Sequence, residues 1–106
     1  GIKPSNDSEG CLQDVHWACG AFGYFPSYAL GHIISAQVTK TLEKDLGSLE
    51  EQIAHQKLQN ILKWLREKVH TQGSRADVLQ LVKDISGHSL TAKPFLDYLT
   101  SKYSSL

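Results

Sequence analysis

The sequence predicts an all-α protein, in which an irregular N-terminal loop precedes a long buried helix and three or four amphipathic helices. Apolar residues recur at helical spacing through the segments that follow the first long helix. No window shows the sustained alternation of apolar and polar residues that is typical of a strand. Residues that commonly cap helices, and glycines that commonly end them, lie between these segments.

The first 25 residues are predicted to form loops, and residues 26–106 to form helices, within a single segment that spans 1–106. Residues 1–9 are rich in turn formers. Residues 10–25 fit neither a helical nor a strand period, and they combine aromatic rings with hydrogen-bonding side chains. Because loops of this kind often carry recognition or chemistry, residues 1–25 are predicted to contain an active-site loop.

The long helix is predicted to begin at Pro26 and to end at Leu46, with Gly47 as a left-handed stop. Residues 28–36 are apolar or small on almost every side, which indicates a helix that is buried on most sides. Residues 39–45 are more polar, and we expect them to emerge into solvent.

The apolar part of this helix is too wide for three amphipathic partners to cover. If half of its surface were exposed to solvent, the apolar patch would be on the order of several hundred Å², near or above the largest patch found on a typical monomer. We therefore expect more protein to cover residues 28–38, either a missing part of the same chain or a partner. On this argument the chain is part of a larger helical fold.

Shorter helices follow, each bounded by residues that commonly start or stop helices. The predicted starts are Ser48 with Glu51, Leu58, Ser74 with Asp77, and Thr91 with Pro94. The predicted ends are His55, His70 with Gly73 beyond it, and Gly87.

Charge and composition exclude several classes of protein. Eleven basic and eleven acidic side chains give a formal net charge of zero, which argues against a nucleic-acid binder. No apolar run reaches the roughly 18 residues that span a bilayer, and the polar start does not resemble a signal peptide. We therefore expect a soluble, intracellular protein without a membrane partner. Since the sequence contains no Met, we also expect it to be a piece of a longer chain.

The two cysteines do not predict a disulfide framework or a redox motif. Cys11 and Cys19 are eight residues apart, which matches neither pattern. Together with His16 and His32 they are side chains of the type that zinc prefers, but their spacing is not a known zinc pattern. We interpret them as reduced thiols and predict no metal site in this chain.

Four side chains in residues 10–31 are suited to acid–base catalysis or to hydrogen bonding with a substrate: Asp14, His16, Tyr24 and Tyr28. In an extended segment Asp14 and His16 would point to the same side, so that the carboxylate holds the tautomer of the imidazole. A phenol at Tyr24 or Tyr28 can donate to a developing oxyanion, and the two rings would share a helix face if the helix began early. The alternative is a buried polar knot, in which Gln13, Asp14 and His16 satisfy backbone groups of the loop.

Residues 10–17, GCLQDVHW, resemble the [I/G]xxQDxHW signature of the thermostable carboxypeptidase (Taq-type) family of HExxH metallopeptidases. Residues 23–31, GYFPSYALG, resemble the GYFPTYxLG run of the same family, and residues 64–70 and 94–99 resemble its closing helices. The resemblance spans the whole chain but only about the C-terminal fifth of a family member. The HExxH helix, the third metal-binding Glu, and the HPF and DxRxT motifs lie upstream in the family and are not in this sequence.

The resemblance implies a mostly helical, cytoplasmic, homodimeric enzyme that removes C-terminal residues one at a time from peptides. Zinc or cobalt is expected in the full-length family enzyme, where a metal-bound water attacks the peptide carbonyl with an upstream Glu as base. No cofactor is expected in this chain, and the chain alone is expected to be inactive.

By the same resemblance, this chain supplies one wall of the substrate groove. His16 and Tyr24 are expected to contact the substrate or the tetrahedral intermediate, and Asp14 to orient His16. The residues expected to bind substrate or shape the loop are Gln13, Trp17 and Tyr28. Two alternatives stay open: a helical interaction module that has lost catalysis, and the small subunit of a split peptidase.

Overall fold

The computed structural model describes residues 1–104, and this range contains helices and turns with no strand. The all-α prediction is therefore confirmed. The α-helices are α1 (Val15–Ala18), α2 (Pro26–Leu46), α3 (Leu49–Ala54), α4 (Leu58–Lys68), α5 (Val78–Ser86) and α6 (Lys93–Tyr103). Short 3-10 turns lie at Asp7–Glu9, Cys11–Gln13 and His70–Gln72. No helix among the described residues has the length and apolar character needed to cross a membrane.

The contacts of the chain divide it into two units, residues 1–30 and the residues from 31 onward. In the first unit, short 3-10 turns and the four-residue helix α1 lie within the irregular, turn-rich loop that the sequence predicts. The Asn6 side chain accepts from the backbone N–H of Glu9 at 3.1 Å and caps the first turn. Gly10 links that turn to the next, and Asp14 then begins α1.

Helix α2 has the bounds that the sequence predicts. Pro26 stands at its first position, where a missing N–H costs nothing because that group has no partner inside a helix. Leu46 is the last helical residue, and Gly47 follows with a φ of +84°. At that left-handed position the Gly47 N–H donates to the carbonyl of Glu43 at 2.9 Å, which closes the helix.

The burial of α2 differs from the prediction in both halves. Tyr28 and Leu30 are each 50% exposed, whereas the sequence predicted a first half buried on most sides. In the second half Lys40 and Lys44 are exposed as predicted, but Leu42 is only 4% exposed. The physical reason is that the second half of α2 carries the contacts of the second unit, so its apolar side faces a core.

The core of the second unit consists of Leu42, Trp64 and Val82, contributed by α2, α4 and α5. The indole N–H of Trp64 donates to the carboxylate of Asp45 at 2.8 Å, which satisfies its polar atom at the edge of the core. Leu58, in contrast, is 56% exposed, although the predicted apolar stripe of α4 began there. On α4, Trp64 is therefore the residue that is buried in this core.

Gln37 joins α2 to the loop between α5 and α6. Its side chain is buried, and its amide donates to the Ser86 hydroxyl at 2.8 Å and to the carbonyls of His88 and Ser89 at 3.3 Å each. Its carbonyl oxygen accepts from the backbone N–H of Thr91 at 2.9 Å. One buried amide thus satisfies polar groups at several positions of this loop.

The caps of the shorter helices agree only partly with the sequence. Ser48 accepts from the N–H of Glu51 at 3.5 Å, as predicted. Helix α5 is capped by Asp77, whose carboxylate accepts from the backbone N–H groups of Leu79 and Gln80. Ser74 is not the cap, because Asp77 is the residue directly before the first helical residue. Gly87 ends α5 with a φ of +76°, as predicted.

Replacing Gln37 by Leu tests the role of this amide in the second unit. The change preserves volume but leaves the N–H of Thr91 without its acceptor, so we expect the free energy of unfolding to fall by roughly 1–3 kcal/mol. The measurement is urea unfolding followed by circular dichroism. Gln80→Leu is the matched control, because the Gln80 side chain is exposed and, among residues 1–104, bonds only to Asp84. Its expected effect is within about 0.5 kcal/mol. Equal decreases in the free energy of unfolding for the two variants would contradict the proposed stabilising role of the Gln37 amide.

Candidate functional site

Aromatic rings surround the imidazole of His16 in the first unit. Its ring centroid lies 5.4 Å from Tyr24 in a stacked arrangement, 5.0 Å from Phe25, and 5.9 Å from Tyr28 in an edge-to-face arrangement. Trp17 extends this cluster by packing edge-to-face on Phe25 at 5.8 Å. These four aromatic residues, three beside His16 and Trp17 next to Phe25, are each 42–50% exposed, so the cluster forms an accessible aromatic wall.

Asp14 holds His16 through both the backbone and the side chain. As the N-cap of α1, it has an extended backbone (φ −86°, ψ 123°), and its Oδ1 accepts from the His16 backbone N–H at 2.8 Å. The same oxygen lies 2.8 Å from the Nδ1 of His16. The prediction that the two side chains lie together is correct, but the predicted extended segment is wrong. A helix N-cap brings them together, because the cap turns the carboxylate back over the first turn.

These contacts determine where the proton of the imidazole lies. An ionised carboxylate can only accept, so Nδ1 carries the hydrogen. In the neutral imidazole Nε2 is then an acceptor, and it lies 3.0 Å from the Tyr28 hydroxyl. Asp14, His16 and Tyr28 therefore form one continuous hydrogen-bonded chain.

The pKa of the Asp14 carboxyl is lowered from its ordinary value of 3.8. The largest cause is the hydrogen bond from the His16 backbone N–H, which favours the charged carboxylate. Partial burial opposes this effect, while the hydrogen bond and charge of the His16 ring add to it. The carboxylate is thus held in the form that can orient the imidazole.

Tyr24 precedes α2 rather than lying on it. Its carbonyl accepts from the Ser27 N–H at 3.0 Å and from the Ser27 hydroxyl, which fixes the turn into the helix. This turn brings the Tyr24 and Tyr28 rings edge-to-face at 5.3 Å, so they meet without sharing the helix face that the sequence suggested. Within residues 1–104 no group bonds to the Tyr24 hydroxyl, which leaves it available to a ligand.

Gln13 and Phe25 differ from the sequence interpretation in opposite ways. The Gln13 side chain is exposed and bonds to no other described residue, so it takes no part in a polar knot with Asp14 and His16. Phe25 was not predicted as a site residue, yet its centroid is the nearest to that of His16. The sequence feature that could have identified Phe25 is its position between Tyr24 and Pro26, directly before the predicted helix start.

The described residues do not fit a metal centre. Cys11 and Cys19 are both exposed and unpaired. In residues 1–104 no group of three or more His, Cys, Asp or Glu side chains is placed to hold a metal ion. The site in this chain consists of an oriented imidazole, one unbonded phenol and an aromatic wall.

Comparisons with known proteins agree on one family. Residues 1–103 match the model of the family described as carboxypeptidase Taq (M32) metallopeptidase. The chain is 46% identical over 106 residues to carboxypeptidase 1 of Bacillus subtilis, and 43% identical over 106 residues to thermostable carboxypeptidase 1 of Thermus thermophilus. The crystal structure of BsuCP is similar over 99% of this chain, with a TM-score of 0.87 and 46% identity.

The match covers the chain but only part of each relative. It includes 100% of this sequence and 21% of each of the two carboxypeptidases, and 21% of the BsuCP chain. The chain therefore spans about a fifth of the length of the curated relatives that it matches.

We expect the 106-residue chain to retain no stoichiometric metal. A zinc site needs three or four well-placed ligands, and the described residues offer no such group. The measurement is elemental analysis after dialysis against zinc and then against a mild chelator. About one zinc per chain after the chelator would contradict the expectation, and Cys11→Ser and His16→Gln would then identify the ligands.

The Asp14 carboxylate should make the N-terminal unit sensitive to acid. Because its pKa is lower in the folded chain than its ordinary value of 3.8, its contribution to stability is fully present above that value and is lost as the pH falls through the folded value. Amide NMR of His16 between pH 5 and pH 2 should follow this loss. Asp14→Asn keeps a capping oxygen but does not titrate, so its His16 amide should show no transition in that range. An identical transition in both proteins would show that another group is responsible.

Proposed function

We propose that this chain, which belongs to the carboxypeptidase Taq (M32) metallopeptidase family, supplies the substrate side of the groove of a metal-dependent carboxypeptidase. The enzyme would release C-terminal amino acids one at a time from peptides. Its zinc or cobalt ion would be held by a part of the enzyme other than residues 1–104, since these offer no ligand group. The proposal concerns what the residues of this chain do toward the peptide.

The observation that carries the proposal is the imidazole of His16, oriented by Asp14 within a half-exposed aromatic wall. The wall offers apolar surface to peptide side chains, and His16 is the polar group at its centre. Asp14 holds the ring at Nδ1, and the Tyr28 hydroxyl lies 3.0 Å from Nε2, so the imidazole and its phenol partner have a fixed orientation within the wall. A polar pair that is oriented in this way suits a contact with the backbone of a peptide.

Tyr24 supports the proposal through its unbonded hydroxyl. The phenol is half exposed beside His16 and can donate to a peptide oxygen without losing an internal hydrogen bond. In the proposed enzyme Tyr24 contacts the substrate or the tetrahedral intermediate directly, and His16 acts on it through the Tyr28 hydroxyl that lies against its Nε2. Trp17, Tyr28 and Gln13 bind substrate or shape the loop.

The exposed apolar surface of α2 indicates a larger assembly. Tyr28 and Leu30 remain half exposed in the structure of residues 1–104. We propose that the N-terminal portion of the enzyme, or a second copy, covers residues 28–38. The relatives are long enough to supply such a cover, because this chain corresponds to 21% of their length. A homodimer in the cytoplasm is the assembly that we propose.

A chimeric enzyme tests the proposal. In carboxypeptidase 1 of Bacillus subtilis, the segment that matches this chain is replaced by residues 1–106, and release of the C-terminal amino acid from an N-blocked dipeptide is measured. We expect an active chimera. Tyr24→Phe should lower its turnover by roughly two to three decades, because the hydroxyl that stabilises the developing charge is lost. The melting temperature should hardly change, because the ring is kept.

His16→Ala in the same chimera should lower both turnover and melting temperature, because it removes the imidazole that positions Tyr28 and leaves Asp14 without its ring partner. Tyr98→Phe on α6 is the matched control for the loss of a tyrosine hydroxyl, and it should change neither the turnover nor the melting temperature. A Tyr24→Phe chimera with normal turnover and a depressed melting temperature would show that Tyr24 has a packing role. A folded but inactive chimera would contradict the proposed function and favour the interaction module. Activity restored only by adding the chain as a separate polypeptide would indicate a split peptidase.

A further inference from the structure

Both ring nitrogens of His16 are engaged by residues of the first unit. Asp14 accepts from Nδ1 at 2.8 Å, and the Tyr28 hydroxyl lies 3.0 Å from Nε2. Since the carboxylate fixes the hydrogen on Nδ1, the phenol must be the donor to Nε2 of the neutral ring. The lone pair that would make His16 a base or a ligand is therefore already occupied.

The two tyrosines beside His16 differ in one atom-level property. Both rings contact the imidazole, with centroids 5.4 Å (Tyr24) and 5.9 Å (Tyr28) away, and both are 50% exposed. Only the Tyr28 hydroxyl is bonded to the imidazole, whereas the Tyr24 hydroxyl is unbonded within residues 1–104. The His16 side chain itself is only 25% exposed, so a ligand that approaches the wall meets the phenols more readily than the imidazole nitrogen.

We infer that Tyr28 is a positioning residue that caps the Nε2 of His16, so that a substrate meets His16 through the Tyr28 hydroxyl. While the phenol donates its hydrogen to Nε2, its oxygen keeps lone pairs that can accept from a peptide N–H. Tyr24, whose hydrogen is free, can donate to a peptide carbonyl. The neighbouring phenols thus offer an acceptor and a donor, which suits the backbone of a peptide. The identity of this ligand rests on the proposed function, whereas the cap does not.

The cap is tested in the 106-residue chain with diethyl pyrocarbonate, which acylates an unprotonated imidazole nitrogen whose lone pair is available. The rate at each histidine is followed by peptide mapping and mass spectrometry. In the wild-type chain His16 should react more slowly than the exposed histidines, which serve as internal references; these are His32, His55, His70 and His88. Tyr28→Phe should raise the His16 rate roughly two- to tenfold, as expected when a hydrogen bond no longer competes for the lone pair.

Tyr24→Phe is the matched control, since it also removes a phenol oxygen beside His16 but no hydrogen bond to it; the His16 rate should stay at the wild-type value. Because Tyr28→Phe keeps the ring, a merely steric shield would leave the rate unchanged, and that result would overturn the inference. Equal increases in both variants would also overturn it. If Tyr28→Phe fails to fold by circular dichroism, a wild-type His16 rate equal to that of the reference histidines overturns the inference by itself. These rates require no peptidase activity, so an inactive chimera would refute the proposed function while leaving this result intact.

Discussion

The carboxylate of Asp14 is the group on which the candidate site depends. One oxygen accepts both the His16 backbone N–H and the His16 ring, each at 2.8 Å. The first bond starts α1, and the second sets the orientation and tautomer of the imidazole. Because the same atom does both, local folding and site chemistry are coupled: loss of the cap would release the ring that the surrounding aromatics contact.

The aromatic surroundings give this polar pair its chemical character. Apolar rings cover part of the imidazole, whose side chain is 25% exposed, and so exclude water from one side of the Asp14–His16 pair. The same rings are only half covered, so the site remains open to a ligand. An oriented polar group within an open apolar wall is typical of small-molecule and peptide sites, which combine apolar lining with few polar contacts.

Sequence patterns predicted the features that depend on near neighbours in the chain. Pro26 and Gly47 bounded α2 correctly, because backbone restrictions at those residues act locally. The closeness of Asp14 and His16 was also predicted, although the N-cap that produces it was not. The burial of Leu42 and Trp64 and the bond between His16 and Tyr28 depend on turns and on helix contacts far apart in sequence. Periodicity alone cannot determine such contacts, and a helix that is apolar on most sides does not indicate which side is covered.

The tautomer of His16 tests the account most directly, because every proposed role of the site starts from the hold of Asp14 on Nδ1. Two-dimensional ¹⁵N NMR of the imidazole rings in the 106-residue chain, at a pH where His16 is neutral, reports which nitrogen carries the hydrogen. His16→Gln identifies the signal among the five histidines. We expect a predominant Nδ1–H form that weakens in Asp14→Asn. A predominant Nε2–H form in the wild-type chain would contradict this expectation, because Asp14 could not then be accepting from the ring.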